Sequence, residues 1–146
     1  MERVFSKKSP TEKELIEQAK EARNNAYAPY SNFKVGASVL TSSGKIFKGA
    51  NVENASYGLT VCAERVAVFK AVSSGEKKIK KVAVVTNSKE PSVPCGACLQ
   101  VLSEFGKEVE IIWVNLKGKI KKYQLRELLP KHFKFVRKSK IQKIYK

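Results

Sequence analysis

Two cysteine clusters, Cys62-Ala63-Glu64 and Pro94-Cys95-Gly96-Ala97-Cys98, constrain this 146-residue chain most, because its fold must carry segments 33 residues apart to one point if they share a metal. Three thiolates on one zinc ion leave one coordination position open. Structural zinc sites close all four positions with protein atoms, whereas catalytic sites keep the fourth for water or substrate. No other cysteine exists, and the single histidine, His132, lies 34 residues beyond Cys98 in a basic tail. A lone CxxC would also suit a redox pair or half of a zinc ribbon, with Cys62 a core thiol. A ribbon needs a second ligand pair, and a dithiol site has no use for Cys-Ala-Glu upstream. The pattern therefore favours a catalytic metal.

The length fits one domain with a core that needs no disulfides. There is no internal repeat. Met1 to Lys8 lacks the apolar run of a signal peptide, and no stretch approaches the roughly 20 apolar residues of a membrane span. Thiols that must stay reduced to bind metal suit a reducing compartment, so a cytoplasmic location is expected. The net charge is +16, from 29 Lys and Arg against 13 Asp and Glu, which raises nucleic-acid binding as an idea. Residues 131–146 hold seven Lys or Arg and no acid, so this basic C-terminal extension supplies +7 and the remaining 130 residues +9. Few aromatics interleave with the lysines, unlike the stacking platforms of single-strand binders. Nucleic-acid contact through this surface is expected to be unspecific.

Ser9-Pro10-Thr11-Glu12 reads as a capping box with Ser9 at the cap. Leu15, Ile16, Ala19, Ala22 and Ala26 then give a helix one apolar face until Pro29. Phe33, Val35, Ala37 and Val39 alternate as a half-buried strand, Ser42-Ser43-Gly44 turns, and Lys45 to Val52 returns as a hairpin. Val61 to Val72 predicts a buried helix through Val61, Val66, Val68, Phe69 and Val72, with Cys62 and Glu64 in its first turn. Ile79 to Thr86 is a central strand, and a helix runs from Cys95 to about Phe105. Glu108 to Asn115 and Lys119 to Gln124 form two further strands before a short Leu125 to Leu129 helix. This order predicts an α/β fold of three layers, a mixed five-stranded sheet with helices on both faces.

Both cysteine clusters fall at helix starts, where unpaired amides and the positive dipole end favour thiolate over thiol. Three thiolates overcompensate a zinc dication and weaken its Lewis acidity, so a nearby cation would help; Arg65 is the candidate, or else a solvated helix cation. Glu64 can take a proton from zinc-bound water and pass it to substrate, beyond the dipole role of any first-turn acid.

Nearly the whole chain resembles the small homotetrameric zinc-dependent cytidine deaminases. The matching stretches are Tyr27-Ala28-Pro29-Tyr30-Ser31-Asn32-Phe33-Lys34-Val35-Gly36-Ala37, Gly49-Ala50-Asn51-Val52-Glu53-Asn54-Ala55-Ser56-Tyr57, Cys62-Ala63-Glu64-Arg65 and Pro94-Cys95-Gly96-Ala97-Cys98. The resemblance implies a catalytic domain over residues 1–130 and one zinc ion per subunit on Cys62, Cys95 and Cys98. It makes Glu64 the proton shuttle and Arg65 a donor to the ligand thiolates. Asn51 and Glu53 would hold the ribose hydroxyl, with Phe33 and Tyr57 also at the substrate. Phe133, just past Leu-Leu-Pro, would reach a neighbouring subunit's site. The implied reaction is pyrimidine salvage: zinc-bound hydroxide attacks C4 of cytidine or 2′-deoxycytidine, and ammonia leaves.

Nucleic-acid deaminases use similar chemistry, but their first ligand is typically histidine where this chain has Cys62. Blasticidin-type deaminases share the cysteines, yet Asn51 to Ser56 fits nucleoside salvage better. A non-enzymatic zinc module binding RNA through its lysines is the alternative from another class.

Overall fold

A computed structural model describes residues 8–135. Along the chain it places α1 (Glu12–Arg23), β1 (Val35–Thr41), β2 (Ile46–Ala50), a 3-10 turn at Tyr57–Leu59 and α2 (Ala63–Ser73). There follow β3 (Ile79–Thr86), α3 (Gly96–Phe105), β4 (Glu110–Asn115), β5 (Ile120–Gln124) and α4 (Leu125–Leu128). The strands form one mixed five-stranded sheet, as the sequence predicts, and their order is β2-β1-β3-β4-β5. Only the β3–β4 pair is parallel between neighbours; β1 is antiparallel to both β2 and β3, and β5 to β4. Since β1 is antiparallel to both its neighbours, β2 runs the same way as β3. Helices α2 and α3 are thus crossovers, joining β2 to β3 and β3 to β4.

Three layers result from which residues each face of the sheet presents. Val35, Ala37, Val39, Val82, Val84, Ile111 and Trp113 pack under α2 and α3 with Ala63, Ala67, Val68, Leu99 and Leu102. On the other face Leu40, Ala83, Val85, Ile112 and Val114 meet Leu15 and Ala19 of α1. Strand β1 is therefore buried at every position, where alternation had predicted a half-buried strand. Its second face carries Gly36 and Ser38 because α1 lies close: a Cβ at Gly36 would stand 2.0 Å from the Ala19 carbonyl oxygen. Ser38 satisfies its buried hydroxyl by donating to the Leu15 carbonyl at 2.6 Å.

Several boundaries differ from the sequence reading. The cap of α1 is Thr11, not Ser9: its hydroxyl accepts from Glu14 N while Glu14 accepts from Thr11 N, a complete capping box two residues later. The helix ends at Arg23, so Ala26 lies outside it. Phe33 precedes β1 and is 43% exposed. In α2 the core face is Ala63, Ala67, Val68 and Ala71, and Phe69 is exposed. Small residues win there because α2 sits directly on Gly49 of β2, whose added Cβ would meet Ala67 N at 2.6 Å. Of the basic extension, 131–135 carry no helix and the rest lie outside the described residues.

Candidate active site

At one end of the sheet, where β3 and β4 finish, the two crossover helices begin side by side. Cys62 is the N-cap of α2 and Cys95 that of α3, both in extended backbone conformation, and neither sulfur is spent on a cap hydrogen bond. Cys98 lies in the first turn of α3. The Cys62 and Cys95 sulfurs are 3.8 Å apart, those of Cys95 and Cys98 3.5 Å, and all three lie within 4.8 Å of one another. A tetrahedral ion with Zn–S bonds of about 2.3 Å separates its sulfurs by about 3.8 Å, so the three thiols fit zinc. No other cluster of metal-ligating side chains occurs among the described residues. Cys98 is buried and Cys95 exposed, which leaves the centre open on the Cys95 side.

The surroundings shift the local acids. Cys62 is held down to about 5, chiefly by a hydrogen bond from the Cys98 thiol and then by Arg65, while Cys98 is pushed well up as the donor in that pair. Arg65 Nη2 donates to the Cys62 sulfur at 3.5 Å, an interaction that raises its own pKa, and its buried Nε has no partner. The guanidinium thus carries positive charge to the sulfurs, as the sequence argument required. Glu64, two residues past Cys62, is 4% exposed. Burial raises its carboxyl to about 7, so both protonation states are accessible near neutrality.

Next to this centre the α1–β1 and β2–α2 connections are laced together. Tyr27 bridges Val52, and Val52 bridges Val61, which leads into Cys62. Asn51 is buried and ties β1 to its incoming loop: Oδ1 accepts from Val35 N at 2.9 Å and Nδ2 donates to the Phe33 carbonyl at 2.8 Å. Glu53 accepts the Tyr30 and Ser31 amides on one oxygen, at 3.0 and 3.1 Å, and the Ser31 hydroxyl on the other at 2.5 Å. The Ser31 hydroxyl, set against partial burial, holds its carboxyl below the usual range. A carboxylate has about four acceptor positions, so these three hydrogen bonds leave about one on Glu53 open.

Sequence reasoning named Asn51 and Glu53 but missed Ser31, which orients Glu53. The available signal was Tyr30-Ser31-Asn32: Asn32 has φ 56°, a left-handed position that asparagine tolerates, and it turns the Ser31 hydroxyl and amide back to Glu53. Phe33 and Tyr57 stand exposed beside these loops, and Tyr57 packs edge-on against Tyr30 at 6.0 Å between ring centres. Phe133 lies elsewhere, its backbone clasped by both ends of the Gln100 amide on α3 and its ring 75% exposed.

Residues 9–114 match the family model of the cytidine and deoxycytidylate deaminase zinc-binding region. Cytidine deaminase of Halalkalibacterium halodurans is 49% identical over 120 residues, 82% of this chain and 91% of that protein. The crystal structure of cytidine deaminase from Burkholderia pseudomallei superposes with a TM-score of 0.82 at 50% identity, covering 85% of this chain and 100% of that one. More distant is blasticidin-S deaminase of Bacillus cereus, 30% identical over 125 residues, 80% of this chain and 88% of that protein. With a three-thiol zinc centre flanked by a buried glutamate and an arginine, this chain belongs to the zinc-binding cytidine and deoxycytidylate deaminase family.

Proposed function

We infer that the protein hydrolyses the C4 amine of cytidine and 2′-deoxycytidine, giving uridine or 2′-deoxyuridine and ammonia, as a step of pyrimidine salvage. The observation that carries this is the buried Glu64 carboxyl beside three sulfurs at metal-binding separation. Zinc held by Cys62, Cys95 and Cys98 supplies Lewis acidity that makes water nucleophilic near neutral pH. Glu64 takes one proton of the attacking water and delivers it to N3 of the base, then passes the remaining proton of the new C4 hydroxyl to the departing amine, which leaves as ammonia. Arg65 offsets the excess thiolate charge. Asn51 holds the loop while the remaining acceptor position of Glu53 takes a ribose hydroxyl, and Phe33 and Tyr57 flank the nucleoside.

Exposed Tyr27, Tyr30, Phe33, Val52, Tyr57 and Leu59 around the site support a homotetramer in which a neighbour covers them and contributes Phe133. No described helix is long and apolar enough to cross a membrane, and the three reduced thiols support a cytoplasmic location. Ultraviolet-monitored conversion of cytidine by the zinc-loaded protein, beside Glu64→Ala, tests the assignment. Turnover should fall by about 10²–10⁴-fold in the variant while zinc stoichiometry holds. A zinc-loaded wild type that converts blasticidin S and not cytidine would move the assignment to the more distant relative's substrate.

A further inference from the structure

A second concave site lies at the far end of α3. Its first lining residue on the helix, Ser103, lies five positions past Cys98, about 7.5 Å along the axis, and no cysteine lines it. It is a cavity of about 950 Å³ between the start of β3, the end of α3 and the segment after α4. Its walls carry Lys77, Lys78, Lys107, Arg126 and Lys134 against one acid, Glu104. None of these four lysines joins an ion pair among the described residues, and Arg126 has only a 3.8 Å contact with exposed Glu108.

Elsewhere on the described surface some cations are paired, Lys48 with Glu21, Lys119 with Glu90 and Lys122 with Glu12, while others such as Lys80 and Lys117 join no ion pair; the cavity differs in gathering five cations around one acid. In the cavity five exposed cations share one concave surface, where their like charges repel and their summed potential attracts an anion. The carbonyl end of α3 adds a partial negative charge of about half a unit, too little to offset them. The floor is different, with Phe105, Leu129 and Pro130 giving an apolar surface and His132 beside them a ring donor. Cationic walls over an apolar floor fit a ligand that is both polyanionic and aromatic.

We propose that this cavity binds a nucleoside polyphosphate, its phosphates on the lysines and its base on the Phe105 floor. The site is separate from the cysteine centre and does not depend on the reaction assigned there. Calorimetric titration of the zinc-loaded full chain with ATP and with inorganic tripolyphosphate tests it, using Lys78→Glu/Lys107→Glu and, as a charge-matched control, Lys121→Glu/Lys122→Glu on β5. The expected result is saturable ATP binding, tighter than tripolyphosphate and weakened about tenfold or more by the cavity variant. The control should bind ATP within about threefold of wild type, and an unchanged melting temperature in the cavity variant shows that it is folded. Absence of ATP binding overturns the proposal, as does equal loss in the control, which would make the effect bulk charge. Tripolyphosphate binding as tight as ATP removes the base from the floor and overturns it too. A single-stranded oligonucleotide that binds more tightly than ATP and is lost in the cavity variant overturns it in favour of a strand along this basic face.

Discussion

Replacing Gly49 by alanine tests whether the seating of α2 on β2 sets the position of the active site. The added Cβ would stand 2.6 Å from Ala67 N, 2.8 Å from the Ala63 carbonyl oxygen and 2.9 Å from Val66 Cβ. Two of the three are backbone atoms on successive turns of α2, so no rotamer change relieves the clash. Ordinary contact at 3.4 Å requires the helix to retreat by about 0.8 Å, from 3.4 minus 2.6. Overpacking of this kind costs about 1–3 kcal/mol. For a chain of this size that lowers the melting temperature by about 3–10 °C. The retreat also carries Cys62 and Glu64, at the start of the same helix, away from Cys95 and Cys98. A misplacement approaching 1 Å costs up to about 10²-fold in turnover. Thermal denaturation, zinc stoichiometry and cytidine turnover of Gly49→Ala should all fall together. Gly58→Ala, whose Cβ would meet nothing within 4 Å, should leave the melting temperature in place. A Gly49→Ala protein that melts, binds zinc and turns over like wild type would refute the seating argument.

Ser31→Ala removes the hydroxyl that holds one Glu53 oxygen and leaves the two amides on the other. KM for cytidine should rise, by less than about tenfold, with kcat near wild type; a fall in kcat at unchanged KM would place Ser31 in the chemistry instead. In zinc-stripped protein Cys62 titrates at about 5 where a free thiol titrates near 9, so it is already thiolate at neutral pH. Its alkylation, followed by peptide mass spectrometry, should then be nearly flat from pH 6.5 to 8.5. An unshifted thiol would speed up about 100-fold over two such units, and that result would remove the Arg65 and Cys98 hydrogen bonds from the account.

The element order was legible because each segment carries its own punctuation: Ser42 to Gly44, Ser73 to Gly75 and Leu116 to Gly118 all mark turns that the structure contains. The cysteine centre was legible too, since metal chemistry fixes residue type and number. What stayed hidden depends on how closely layers approach. Alanine and glycine look weakly hydrophobic in a sequence, yet Ala63, Ala67 and Ala71 form the buried face of α2, while Phe69, which looks like a core anchor, faces out. Polar clasps were equally hidden. Nothing in Ser31 or Glu53 as isolated letters shows that the chain returns one to the other across 22 positions.

Cys62 and Cys95 cap two consecutive crossovers, β2-α2-β3 and β3-α3-β4. A metal joining them is a pin through two loops of chain that must each be wound before the pin can be set. Parallel crossovers form late because their long loops must close before any strand contact rewards them. Zinc should therefore leave the refolding rate nearly unchanged and slow unfolding, making it a determinant of how long the native state persists more than of how quickly it is reached.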